Sequence, residues 1–145
     1  MKKILLAVDG SESSKKAADK AAELASALKA ELTLTTVIRT TSPTITAGEA
    51  AVNMEIVKRM EEEREKQGQK ILEEAAVILE EKGISPEKEL HRGDPADVIC
   101  NLAEKENYDL VVIANKGRGQ IKRFFLGSIS DKVVRHISTS VLVVK

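Results

Sequence analysis

The chain has 145 residues, 42% hydrophobic and 32% charged, which reads as a soluble globular domain long enough for a real core and excludes a disordered chain. Lys and Arg total 23 and so do Asp and Glu, and a zero net charge argues against a dedicated nucleic-acid binder. With one Tyr, two Phe and no Trp there is no stacking platform for single strands, no apolar run reaches membrane-span length, and the single Cys100 offers neither an internal disulfide nor a metal cluster.

The N-terminal "KKILLAVD" has two lysines and a short apolar run, as an export signal does. The run stops at Asp9 with no small-residue cleavage site, so it reads as a strand buried on both faces, and the cytoplasm is the default location. Next, "GSESSKKAADKAAELASALKA" places Ala18, Ala21, Ala22 and Ala25 on one helical face, with Ser11 as N-cap. "ELTLTTVI" is rich in β-branched residues and reads as the second strand. "RTTSPTITAGEAAVNM" is small and polar after Arg39 and reads as a loop punctuated by Pro43 and Gly48. A long helix is expected from about Glu49 to Lys82, with Leu72, Ala75, Ala76 and Leu79 buried, Glu62–Lys66 as an i, i+4 ion pair, and Gly83 as its C′ residue.

"PEKELHRG" is a weaker third strand. "DPADVICNLAEKEN" is a helix with Asp94 as N-cap, Pro95 at N1 and Asp97 in its first turn, and with Val98 and Leu102 toward the core. "DLVVIAN" is the fourth strand. "SISDKVVRHIS" is the last helix, with Ser128 and Asp131 in a capping-box arrangement and Ile129, Val133 and Ile137 buried; "SVLVVK" is the fifth strand. This β-α alternation with apolar strands predicts an α/β fold: a five-stranded parallel open sheet with helices on both faces, in one domain over residues 1–145. Ligands of such sheets bind at the carboxyl ends of the strands, which here are Asp9-Gly10, Val37-Ile38, His91-Arg92-Gly93 and Ala114 to Gly119.

The segment "ANKGRGQIKRFFLGS" thus stands where a site is expected. One reading is a phosphate cradle: Gly117 and Gly119 on one side and Gly127-Ser128 at a helix start on the other, with amides and a dipole end facing an anion and Arg118 the nearest cation. The other is a solvated loop with turn glycines. There is no G-x-x-x-x-G-K-[ST], and Gly117-x-Gly119 lacks the third glycine of a dinucleotide fingerprint. A phosphoacceptor aspartate at the end of the third strand is also missing, because His91 stands there. No Ser-His-Asp set supports a hydrolase nucleophile. Asp9 either accepts from a base amine or ribose hydroxyl, or caps the following helix. Cys100 reads as a small half-buried residue, and Phe124-Phe125 as packing under the loop.

Asp9 in "AVDGSESS", the segment "HRGDPADVI", the glycine loop and the terminal "SVLVVK" together resemble the universal stress protein family over essentially the whole chain. Nucleotide-binding members carry G-x-x-G, nine residues, then G-[ST]; Gly117 and Gly127-Ser128 match, while the first glycine falls on Ala114 and the middle pair is Asn115-Lys116. A methyl group at 114 crowds a ligand if it points inward or costs about 1–2 kcal/mol if φ is positive, and is harmless otherwise. The resemblance implies a Rossmann-like fold of the adenine nucleotide alpha hydrolase type. It also implies a cytoplasmic regulatory protein that binds ATP or AMP with at most slow hydrolysis. Asp9 would lie beside the adenosine, Val37 against the base and Gly93 along the pocket. The phosphates would lie over Gly117, Arg118, Gly127 and Ser128, with Ala114 at the motif's first position beside the nucleotide, and with room for Mg or Mn but no carboxylate cluster dedicated to a metal. A homodimer through the last strand is implied too. A nucleotide-free interaction module of the same fold is the alternative.

Overall fold

The computed structural model describes residues 1–40, 50–116 and 126–145, with side chains from residue 54 onward in the second helix. The readings that fall on 41–49 and on 117–125, Gly117, Arg118 and Phe124-Phe125 included, lie outside the described residues.

The elements follow in strict alternation: β1 Lys3–Ala7, α1 Glu12–Leu28, β2 Glu31–Ile38, α2 Ala50–Glu81, β3 Glu87–Arg92, α3 Pro95–Lys105, β4 Leu110–Ala114, α4 Ser128–His136 and β5 Ser140–Val144. The strands form one parallel sheet in the order β3-β2-β1-β4-β5. The expected α/β sheet with helices on both faces is what forms. Its chain first winds outward from β1 to β3 and then returns to lay β4 on the other side of β1. The reversal between β1 and β4 opens a crevice at the carboxyl ends of those strands.

Strand alternation sorts the core into two layers. Ile4, Leu6, Leu34 and Val112 meet the alanines of α1 and Leu72, Ala76 and Leu79 of α2 on one face. Leu5, Val111 and Ile113 meet Ala96, Ile99 and Ala103 of α3 and Val133 of α4 on the other. The alanine stripe of α1 is buried as expected, and Ser11 caps the helix with its Oγ accepting the Ser14 N–H at 3.1 Å. Gly83, at φ +79°, ends α2: its N–H donates to the Glu80 carbonyl at 2.9 Å and that of Ile84 to Leu79 at 3.0 Å. The sequence pattern did not single out Gly68, where a β-carbon would stand 2.7 Å from Leu90 Cδ1; the missing side chain lets α2 lie close over β2 and β3.

Three local expectations are corrected. Lys66 pairs with Glu63 at 3.8 Å, one helical turn back, and not with Glu62. The centre of the buried face of α3 is Ala96, Ile99 and Ala103; Leu102 packs half-buried against that core as expected, whereas Val98 sits to the side, near Gly93. In α4 the N-cap is Gly127, not Ser128, and no side chain caps the helix. Asp131 is drawn instead to Arg135 Nε at 3.0 Å, so the capping box does not form.

Candidate functional site

A cleft of about 350 Å³ lies at the carboxyl ends of β1, β2 and β4, under the N-terminal turns of α3 and α4. Its floor comes from Ala7, Val8 and Asp9 on β1 and just beyond, and from Val37 and Ile113 to either side. Pro95 and Ile99 of α3 and Ser128, Ile129 and Ser130 of α4 close it from above. Its described charged groups are Asp9, Arg39 and Lys116.

Asp9 follows β1, and Gly10 at φ +83° turns the chain sharply into α1. Its Oδ1 accepts the Ser11 N–H at 2.9 Å, the local turn that sequence reasoning weighed against a ligand role. Among the described residues Oδ2 has no hydrogen-bond partner, so one carboxylate both closes the turn and keeps an acceptor at the cleft. Ser14 is buried beside it with its hydroxyl donating to the Ser11 carbonyl at 2.8 Å.

The start of α4 is fixed by Asn115. The Asn115 N–H donates to the Val144 carbonyl at 2.8 Å, tying it to β5. Its own carbonyl accepts the Gly127 N–H at 2.7 Å and the Ser130 hydroxyl at 3.0 Å. A β-carbon at 127 would stand 2.8 Å from that carbonyl oxygen, so glycine is required by the close approach of α4 to β4. The Gly127 amide is therefore committed to the backbone and is not open to an anion. The donors at this turn are its neighbours: the helical ladder begins with the Asp131 N–H on the Gly127 carbonyl at 2.8 Å, leaving the amides of Ser128, Ile129 and Ser130 without intrahelical acceptors. Those three residues line the cleft, and the positive end of the helix dipole adds to their attraction for an anion.

Ala114 belongs to β4, and Lys29 and Asn107 are the only described non-glycine residues with positive φ, so 114 carries no left-handed strain. It is half-buried against the α1–α2 core, on the opposite face from Ile113, and is among the residues that line the cleft. Val37 lines the cleft from the α3 face of β2. Gly93 is not among the residues that line it: at φ +141°, with its N–H on the Ile38 carbonyl at 2.9 Å, it makes room for Val98, whose Cγ2 a β-carbon would meet at 2.9 Å. His91 lies 2.8 Å from Glu89 and also stands outside the lining.

The two helix starts above the cleft are joined at the surface. Lys132 Nζ lies 3.0 Å from Asp94 Oδ2 and 3.2 Å from Asp97 Oδ1. The Asp97 amide, then Lys132, hold the Asp94 carboxyl below the ordinary carboxylate range, with a smaller contribution from Arg39. Burial, with Glu104 and Asp97 nearby, pushes the half-buried Cys100 thiol up, which makes it a poor thiolate. Among the described residues no group of three or more His, Cys, Asp or Glu is gathered as for a metal ion, and no helix is long and apolar enough to cross a membrane. Sequence reasoning counted Lys116 among the loop's cations but missed Ser130, Arg39 and the structural part played by Asn115. Nothing marks Ser130 in the sequence, whereas Arg39, two residues beyond Val37 and just past the end of β2, was open to being placed at the carboxyl ends of the strands.

The universal stress protein family model matches residues 1–145, and the chain belongs to that family. It is 36% identical over 145 residues to the universal stress protein YxiE of Bacillus subtilis, covering 99% of this chain and 98% of that one. Among solved structures it is similar to the protein MJ0577, with 25% identity, TM-score 0.82 and coverage of 99% of this chain and 95% of that one. It is also similar to a universal stress protein solved in complex with cAMP, with 29% identity, TM-score 0.74 and coverage of 99% and 97%.

Proposed function

We propose that the cleft binds an adenine nucleotide, ATP or AMP, and that this is a cytoplasmic regulatory protein with at most slow hydrolysis. The observation that carries the reading is the trio of α4 amides, Ser128 to Ser130, left without helical acceptors along a cleft of about 350 Å³. A phosphate at that turn meets the dipole end and Lys116. From there a ribose crosses β1 beside the free oxygen of Asp9, and the base reaches the apolar end formed by Val37, Pro95 and Ile99. The relative solved with cAMP supports the choice of adenine. Gly117 and Arg118 belong to the same proposal as phosphate contacts, and Gly93 as a support beneath the α3 start. Any Mg or Mn would come with the phosphates, since Asp9 is the one carboxylate among the described residues of the lining. Binding of this kind acts by favouring one conformation over another. A homodimer through β5 completes the proposal.

Calorimetric titration with ATP and with AMP tests it. Saturable heat with either, reduced when Lys116→Ala removes the cation, is the expected result. No heat at millimolar nucleotide overturns it and leaves a nucleotide-free interaction module.

A further inference from the structure

The cleft has three described charged groups, and the nucleotide reading uses two of them: Lys116 at the phosphate end and Asp9 in the middle. Arg39 remains. It stands just past the end of β2, two residues beyond Val37, and lines the cleft with it, while Ile38 turns to the α2 side beneath Gly68. It is exposed and lines the cleft together with Val37 of β2 and Pro95 at the start of α3, and its charge adds a small contribution to the lowering of the Asp94 carboxyl. Its side chain makes no hydrogen bond or ion pair among the described residues, whereas the Arg39 carbonyl holds Arg64 Nη1 at 3.4 Å.

The order of the strands decides which part of a nucleotide Arg39 meets. With phosphate at the α4 turn beside β4, the ligand crosses β1 to reach β2, two strand spacings or about 10 Å away. What arrives there is the base. The side chains about it are aliphatic, Val37 from β2 and Ile99 from α3, and no described residue of the lining is aromatic. Among the described residues of the lining a purine in such a place lacks an aromatic partner, and the Arg39 guanidinium is the side chain on hand that supplies a flat one, being planar, cationic and weakly hydrated.

We propose that Arg39 is a base-binding residue, its guanidinium plane lying on the part of the purine that Val37 and Ile99 leave open at the mouth of the cleft. The proposal rests on the nucleotide reading above. It concerns the base and not the phosphate, and the two roles separate by experiment. AMP is titrated calorimetrically into the unaltered chain and into Arg39→Ala, and ribose 5-phosphate, which has no base, is measured on both by its displacement of AMP. The expected result is about a ten-fold loss for AMP with a change under about two-fold for ribose 5-phosphate. Thermal denaturation midpoints that agree between the two chains show that the variant is folded, as expected for an exposed residue. Equal losses for both ligands make Arg39 a general attractor of anions and overturn the proposal, as does an unchanged AMP affinity. An unaltered chain that takes up no AMP fails the nucleotide reading itself, and this proposal with it.

Discussion

At the scale of single residues, the site depends on how close α4 approaches β4. Gly127 was singled out in the sequence as a phosphate glycine, yet its amide and its missing side chain both serve the Asn115 carbonyl. A Gly127→Ala change inserts a carbon 2.8 Å from a backbone oxygen, and a backbone atom has no rotamer by which to retreat. The start of α4 then moves off Asn115, at a cost of roughly 1–3 kcal/mol by analogy with overpacked cores. The expected outcome is a lower denaturation midpoint together with weaker AMP binding, because the displaced turn carries the three open amides. Full AMP affinity in a destabilised variant would separate the turn from the site. Asp9 shows the opposite lesson. Its two readings were alternatives in the sequence because one carboxylate was assigned one task, but its two oxygens divide the tasks between them. Ala114 was ambiguous because the sequence does not show which face a strand residue takes; its place opposite Ile113 answers that.

At the scale of elements, strands and caps were legible, and faces and registers less so. Near-continuous apolar runs identify β1 and β4 because both are covered on two sides, and Ser11, Asp94 and Gly83 mark their helix ends by chemistry local to a few residues. The start of α4 was misplaced by one residue because a Ser-x-x-Asp pattern is also local, while the real start is set by a contact across the fold with Asn115. The face of α3 is read correctly at Leu102 and wrongly at Val98, because helical spacing alone leaves the centre of the stripe, here Ala96, Ile99 and Ala103, free to shift by a residue. Asp94 gives this scale a pH dependence. It accepts the Asp97 N–H at 3.1 Å and pairs with Lys132, so its carboxyl is lowered in the folded chain. A lowered carboxylate stabilises above its unfolded pKa, and that contribution disappears as pH falls through the folded value. Asp94→Ala is therefore expected to lower the denaturation midpoint at pH 7, by an amount typical of a lost N-cap, about 1 kcal/mol. The gap between variant and unaltered chain should narrow as pH drops below the ordinary carboxylate range. A gap that is constant between pH 7 and pH 2.5 would assign the loss to packing and not to the charge.

At the scale of the whole molecule, the order β3-β2-β1-β4-β5 leaves β3 and β5 as edges of unlike character. β3 is guarded: Lys88 pairs with Glu73 at 3.1 Å, and Arg92 bonds both Glu61 and Glu65 of α2, so charge and a long helix cover that side. Among the described residues β5 has no such ion pairs along its edge, although its side chains pack against the core on both faces. Val141, Leu142, Val143 and Val144 are all half-exposed and uncharged, and an apolar strand with an open ladder is a place for pairing. The topology was legible because alternating elements allow few arrangements, whereas pairing across β5 depends on a second copy that no single chain displays. The proposed homodimer leads to a direct test. Sedimentation of the unaltered chain should give the mass of two copies, and Leu142→Lys should give one, since a charged edge residue must be desolvated to enter a paired strand. Leu142 is half-buried against the α1–α2 core, so an unchanged far-ultraviolet circular dichroism spectrum must accompany the single-copy mass to show that the variant has kept its fold. A single-copy mass for the unaltered chain at micromolar concentration, or a Leu142→Lys chain that still sediments as two, would remove β5 from the interface. The result also bears on the cleft, because Asn115 hangs on the Val144 carbonyl and carries the start of α4. If pairing steadies β5, the dimer should bind AMP more tightly than the Leu142→Lys monomer, and equal affinities would show that the Val144–Asn115–Gly127 chain of hydrogen bonds holds its shape without a partner.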